Sequence, residues 1–294
     1  MSTRSDAVRK AFKEGDDIRD AGLTTPEDIE RADDILYGTD PVWQKLDVYR
    51  PKQAGTKKLP VIISVHGGGW VYGDKERYQY YCMSLAERGF AVVNFTYRLA
   101  PEFTFPAPVE DMNLVAEWTM DHASAYGLDT EHVFAVGDSA GGHLLALYAD
   151  ICTNPSYASE YPFKVPEGFA LSAIALNCGV YRLTQPEDLD PNTKELMKDF
   201  LPEGGTEEEL ARISPANYLT DQFPPVFYMT CTGDFLKGQA SILGQALLKA
   251  DVPHEFHYFG DRHSELGHVF HLNMKSEDAA QCNDQECDYF KRFL

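Results

Sequence analysis

The 294-residue sequence predicts an α/β fold, with a mostly parallel central sheet and helices on both faces. Two observations carry that prediction. Short apolar strand-like runs alternate with longer segments of helical period from about residue 60 to the end, the order that lays strands parallel. The strand-like runs, such as Val61 to Val65, are also continuous rather than alternating, as expected of strands covered on both faces.

In chain order, residues 1 to about 40 are charge-rich, with Val8, Phe12, Ile18, Ile29 and Ile35 spaced loosely for short amphipathic helices. Thr25-Pro26-Glu27-Asp28 has the form of a helix start, a capping threonine followed by proline in the first turn. Leu46-Asp47-Val48-Tyr49 alternates like a half-exposed strand and stops at Arg50-Pro51. Strands are then expected at Val61 to Val65, Ala91 to Tyr97, His132 to Val136, Phe169 to Leu176, Val226 to Thr230 and Glu255 to Phe259. Helices are expected between them at Tyr78 to Arg88, Val109 to His122, Ala140 to Ile151 and Gln239 to Lys249, with Ser276 to Phe293 closing the chain. Residues 179–218 break the rhythm, being rich in proline, glycine and acids, with helical pieces at Thr193 to Phe200 and Glu207 to Arg212. A loop of that length in a compact domain is usually functional. The expected organisation is one domain over 1–294, with 1–42 as an N-terminal helical cap and 179–218 as a lid insertion.

Composition narrows the function classes. Hydrophobic residues make up 44% and charged residues 24%, ordinary for a globular chain, but the net charge is −20. So acidic a surface repels phosphate backbones and anionic lipid, which argues against nucleic-acid and membrane partners. No stretch approaches the roughly 20 apolar residues of a membrane span, and the polar start has no signal-peptide pattern. The six scattered cysteines form no C-x-x-C and read as reduced thiols of a cytoplasmic protein. Asn94-Phe95-Thr96 matches a glycosylation sequon but falls within a strand expected to be buried. The sequence leaves oligomeric state open, a homo-oligomer included.

The strand at His132 to Val136 runs into Gly137-Asp138-Ser139-Ala140-Gly141-Gly142, and a helix begins at once. G-x-S-x-G in that context is a nucleophile elbow. A serine at the tip of so tight a turn needs small neighbours, and Gly137 and Gly141 supply the room. The following helix presents free N–H groups to a developing oxyanion. His66-Gly67-Gly68-Gly69-Trp70 follows another strand, and its glycines suit a close approach of backbone donors to a carbonyl oxygen. A phosphate loop fits less well, since the pattern is neither G-x-G-x-x-G nor followed by Lys-Ser/Thr.

A serine nucleophile needs a histidine base and an acid to orient it. The chain order Ser, acid, His, each after a strand, selects Asp234 behind Val226 to Thr230 and His268 behind Glu255 to Phe259. His263 is the runner-up base and Asp261 the rival acid, while His254, His257 and His271 read as packing or surface residues. The histidines lack an H-E-x-x-H or cysteine partner, so no metal is expected. Trp70, Tyr72 and Asp138 are close enough in sequence to line the pocket.

Together, H-G-G-G-W, G-D-S-A-G-G, Tyr97-Arg98-Leu99-Ala100-Pro101-Glu102 and Phe105-Pro106-Ala107 resemble the hormone-sensitive-lipase group of α/β-hydrolase esterases, over roughly residues 43–294. The resemblance implies an α/β-hydrolase fold and a cofactor-free serine carboxylesterase acting on short acyl, often acetyl, esters. It implies that Gly68, Gly69 and Ala140 donate the oxyanion N–H groups, that His66 braces its loop, and that Asp234 and His268 are acid and base. Where relatives commonly carry Asp-Pro after the acid's position, this chain has Phe235-Leu236. A weaker similarity, through Leu46 to Pro51, is to acetyl-xylan and feruloyl esterases. An aryl formamidase or amidase would run the same machinery on a C–N bond, an acyltransferase would add an acceptor site, and a binding module would lack part of the triad.

Overall fold

The computed structural model describes residues 3–184 and 191–294. Among the described residues the strands are β1 (Ile29–Leu36), β2 (Lys45–Pro51), β3 (Leu59–Val65), β4 (Ala91–Phe95), β5 (Leu128–Asp138), β6 (Ala173–Asn177), β7 (Val226–Cys231) and β8 (His254–Phe259). They form one sheet in the order β1-β2-β4-β3-β5-β6-β7-β8. From β4 across to β8 all neighbours run parallel; β1 and β2 add an antiparallel edge. The helices are α1 (Thr3–Asp20), α2 (Lys75–Glu87), α3 (Ala107–Asp121), α4 (Ala123–Tyr126), α5 (Ala140–Thr153) and α6 (Pro155–Ala158). They continue with α7 (Pro191–Phe200), α8 (Glu207–Arg212), α9 (Lys237–Lys249) and α10 (Glu277–Phe290).

The continuous apolar strands explain the layering. Successive side chains of a strand point to opposite faces, so Val61, Ile63 and Val65 join the core under α3, α5 and α9. Ile62 faces the other way, aligned with Val92 and Phe134 in the core under α2 and α10. Burial of each such side chain contributes on the order of 1.5–3 kcal/mol. Asn94 of the sequon is fully buried and donates to the Lys75 carbonyl at 2.7 Å.

Two N-terminal expectations are corrected. Residues 1–42 are not wholly helical: after the single long helix α1, residues 29–36 form the edge strand β1, paired with β2. Thr25-Pro26 opens a turn instead of a helix, with Ile29 N–H on the Pro26 carbonyl at 3.2 Å. The loose apolar spacing there is satisfied by an edge strand, and tertiary pairing overrides a local capping pattern. β2 is not half-exposed either. Leu46, Asp47, Val48 and Tyr49 are all buried, Asp47 being held by Lys75 at 2.9 Å and by the Tyr49 hydroxyl at 2.8 Å. A polar residue in an alternating strand here marks a paired buried charge, not a solvent face.

α1 lies against the ends of the sheet strands through specific anchors. Arg9 donates to the Val71 carbonyl at 2.7 Å, the Ala100 carbonyl at 2.9 Å and Glu102 at 2.9 Å. α7 packs beside α1, with Thr193, Leu196, Met197 and Phe200 buried. Part of the 179–218 lid expectation, residues 185–190, lies outside the described residues.

The start of α5 and the end of β3 approach each other closely. A Cβ on Gly141 would stand 2.1 Å from the Val65 carbonyl oxygen and 2.5 Å from that of His66. Gly141→Ala therefore costs about 1–3 kcal/mol or more in chemical denaturation. Gly238→Ala in α9, with nothing within 4 Å of the added carbon, is neutral or stabilising in the same assay. Equal effects of the two changes would contradict this packing.

Candidate active site

The parallel strands bring their C-terminal ends to one edge of the sheet, and the loops leaving β3, β5, β7 and β8 meet there. Ser139 tips the turn between β5 and α5 at φ 52°, ψ −119°. Gly137 tolerates the crowding, since a Cβ there would lie 2.6 Å from the Gly141 carbonyl oxygen. The Ser139 N–H is fixed on the Asn177 carbonyl at 2.9 Å. The Asn177 side chain is held in turn by buried Glu286, at 2.6 Å.

His268 Nε2 lies 2.9 Å from Ser139 Oγ, and His268 Nδ1 lies 2.7 Å from Asp234 Oδ1. With Nδ1–H donating to the carboxylate, Nε2 is left to accept the serine hydroxyl proton. Asp234, 2% exposed, also accepts the Thr230 hydroxyl at 2.7 Å and the Leu236 N–H at 2.9 Å. Burial pushes its pKa upward, but His268 and these donors outweigh burial and hold it below the ordinary aspartate value. The loops carrying Asp234 and His268 are stitched together: Gly233 N–H donates to the Leu266 carbonyl at 2.9 Å, and the Cys231 thiol lies 3.1 Å from the Leu266 and Gly267 carbonyls.

The rival residues stand elsewhere. His263 is exposed and accepts from Arg262 at 2.9 Å, and Asp261 caps its own turn through the N–H groups of His263 and Ser264. His254 bonds the Val252 carbonyl at 2.8 Å, His257 stacks on Phe227 at 4.5 Å, and His271 is buried against Tyr81.

The glycine loop after β3 takes backbone that side chains would not permit. Gly68 and Gly69 have φ of 114° and 61°, and a Cβ on Gly68 would stand 2.0 Å from the Tyr72 carbonyl oxygen. The amides of Gly68, Gly69 and Ala140 donate to no acceptor among the described residues. For Ala140 that is the ordinary state of the first N–H of a helix. His66 is fully buried, stacked on Tyr97 at 4.0 Å, with Nδ1 2.8 Å from the Gly67 carbonyl. Burial lowers its pKa to about 4, so it stays neutral.

A cavity of about 320 Å³ opens over Ser139 and His268. Of the residues expected to line it, Tyr72 and Asp138 do. Trp70 does not: it is 2% exposed, donates its indole N–H to His143 at 3.1 Å and stacks on Phe200 at 5.4 Å. Its backbone at φ 64° turns the ring down into the core, away from the cavity. Asp138 accepts the Tyr78 hydroxyl at 2.8 Å, and the same Tyr78 oxygen accepts the Gly67 N–H at 2.8 Å, tying the glycine loop to the elbow.

The N-terminal segment was expected as a cap, but the residues with which it lines the cavity were not named in advance. Ala11, Phe12, Gly15, Asp16 and Arg19 all reach the cavity from α1. Their spacing is one helical face, and the small residues Ala11 and Gly15, four apart, were the available signal. Asp16 accepts the Tyr72 hydroxyl at 3.0 Å and pairs with Arg19 at 2.9 Å. Phe235, after the acid, packs over the His268 ring at 4.4 Å.

One trio of potential metal ligands comes together among the described residues, Cys178, Asp234 and His268, within 4.8 Å of one another. Two of the three are already bonded to each other, and the Cys178 thiol is pushed well above its usual pKa by a hydrogen bond with Cys231 and by burial. A protonated thiol is a poor ligand, so the set does not fit a metal.

The BD-FAE family model matches residues 46–240 of this chain. The chain belongs to the BD-FAE family. Among curated relatives of this family member, the esterase LipC of Mycobacterium tuberculosis is 33% identical over 199 residues, 65% of this chain and 48% of that protein. The versiconal hemiacetal acetate esterase of Dothistroma septosporum is 30% identical over 221 residues, 70% of this chain and 66% of that protein. The chain thus spans about half to two thirds of the length of such relatives. Among solved structures, esterase B of Lactobacillus rhamnosis superposes with a TM-score of 0.87 at 24% identity, over 99% of this chain and 97% of that one. The fold is that of the α/β-hydrolases. No helix among the described residues is long and apolar enough to cross a membrane.

Asp138 yields a pH-dependent stability. Burial raises its pKa to about 7, against an ordinary value near 3.8. The folded state then binds the proton more tightly than the unfolded state, so stability is fully present below about pH 4 and declines as pH rises toward 7. Asp138→Asn keeps an acceptor for Tyr78 without the charge. Its melting temperature relative to the parent rises between pH 5 and pH 8; a pH-independent difference would contradict the buried-acid reading.

Proposed function

We propose that this protein is a serine carboxylic ester hydrolase for small neutral esters with short acyl groups, acetyl above all. The observation that carries the reading is the unbroken relay from Asp234 through His268 to Ser139, with the serine opening into the cavity under α1. In the proposed reaction His268 takes the Ser139 proton as Oγ attacks the ester carbonyl. The tetrahedral oxyanion is held by the N–H groups of Gly68, Gly69 and Ala140, each of the kind whose loss costs about 2.7–4 kcal/mol of transition-state stabilisation. His268 then protonates the departing alcohol, and water cleaves the acyl-enzyme by the same route. Asp234 keeps the imidazole in the productive tautomer and offsets its charge.

Several features support the substrate class. The cavity lies at the small end of ligand pockets, the charges that α1 turns to it, Asp16 and Arg19, are paired with each other, and one relative is named for an acetate ester. We propose that α1 is the part of the cap that shapes the cavity, with α7 bracing it. The net charge of −20 disfavours nucleic-acid and membrane partners, and the cysteines, which form no disulfides, support cytoplasmic residence.

Ser139→Ala lowers kcat on nitrophenyl acetate by about 10⁴-fold or more; unchanged turnover rejects the assignment. In a nitrophenyl ester series, acetate or butyrate gives the highest kcat/KM, and an octanoate optimum would contradict the short-acyl reading. An aryl formamide assayed in parallel is turned over more slowly than the acetate; the reverse order makes the protein an amidase.

A further inference from the structure

Phe235 is 61% exposed although its ring packs on that of His268. Solvent exposure of a phenyl ring brings nothing to folding. Phe12 of α1, 41% exposed, lines the same cavity from the opposite segment of the chain and packs edge-on against Tyr72 at 5.9 Å. Two half-exposed aromatic rings on one cavity, contributed by unrelated segments, form a surface suited to a flat apolar group.

The chemistry decides which half of the ester that group belongs to. In the collapse of the tetrahedral intermediate the bond between the carbonyl carbon and the alcohol oxygen breaks. The Ser139 oxygen keeps the acyl group, and the leaving oxygen takes the proton that His268 Nε2 received from Ser139. The alcohol must therefore lie beside the imidazole, and Phe235 is the ring packed on that imidazole, 4.4 Å away and tilted by 48°. The cavity offers no unpaired charge to this group. Arg19 is matched by Asp16 at 2.9 Å and Asp20 at 2.7 Å, and Asp138 is engaged by Tyr78. The remaining nearby surface, Val269 and Leu272, is apolar.

We propose that Phe235, assisted by Phe12, is a specificity-determining wall for the leaving alcohol, and that the preferred substrates are short-acyl esters of aromatic alcohols. This rests on the hydrolase reading above. Ring-on-ring contact of this kind discriminates by up to about tenfold.

The test compares kcat/KM for benzyl acetate, ethyl acetate and ethyl phenylacetate by proton-release titration, in the parent, Phe235→Ala, Phe235→Leu and Phe12→Ala. The parent prefers benzyl over ethyl acetate by about tenfold. Phe235→Ala removes most of that preference, through KM for benzyl acetate, Phe235→Leu restores only part of it, and Phe12→Ala gives a smaller loss. The ratio of ethyl phenylacetate to ethyl acetate, which moves the ring to the acid side, does not change. A benzyl-to-ethyl ratio that survives Phe235→Ala, including a case where both rates fall together, overturns the proposal and leaves the hydrolase reading standing. An equal shift in the ethyl phenylacetate ratio overturns the assignment to the alcohol side. Absence of turnover of all three esters by the parent overturns both readings.

Discussion

The backbone at Ser139, φ 52° and ψ −119°, is a conformation that costs an L-residue of order 1–3 kcal/mol. It persists because its surroundings leave no alternative. The Ser139 N–H is taken by Asn177, the following turn is the start of buried α5, and Gly137 and Gly141 press against each other and against the end of β3. Relaxing the serine would move α5 off the sheet. The strain therefore positions the hydroxyl where His268 meets it.

Around that turn the polar groups are organised by pairing, not exposure. The two loops that carry Asp234 and His268 are cross-linked by backbone and thiol hydrogen bonds, so His268 approaches Ser139 on a framework set by β7 and β8. Tyr78 does the equivalent for the glycine loop, accepting from Gly67 while donating to Asp138. Arg9 fastens α1 to the backbone of both the glycine loop and the Ala100 turn. Motif residues far apart in sequence thereby serve one purpose: Tyr97 bonds the His66 carbonyl at 2.8 Å and Arg98 is locked on Asp111 at 2.9 Å, below the site.

The β-α alternation from β3 onward was legible because most of those strands, β8 at the edge excepted, are buried on both faces and their sequence carries no competing signal. The grouping of Ser139, Asp234 and His268 was legible because each follows a strand in the expected chain order. What could not be read was tertiary in origin. β1 is a strand because β2 needs an edge partner, and its own residues say little, with exposed and buried positions in no clear period. Trp70 was read as a pocket residue from sequence proximity, but its backbone points it into the core toward His143. Residues 1–42 were expected as a cap, but the α1 side chains that line the cavity were not singled out, because their nearness to Ser139 and His268 is made across more than a hundred residues of chain.

The central claim is that Ser139 becomes covalently acylated. Acid-quenched intact-mass and peptide mapping after millisecond mixing with nitrophenyl acetate tests it directly. The account predicts a mass gain of one acetyl group, confined to the peptide bearing Ser139 and decaying as substrate is exhausted. Turnover without any acylated species on that peptide, or an acetyl group on another residue in step with turnover, would contradict it.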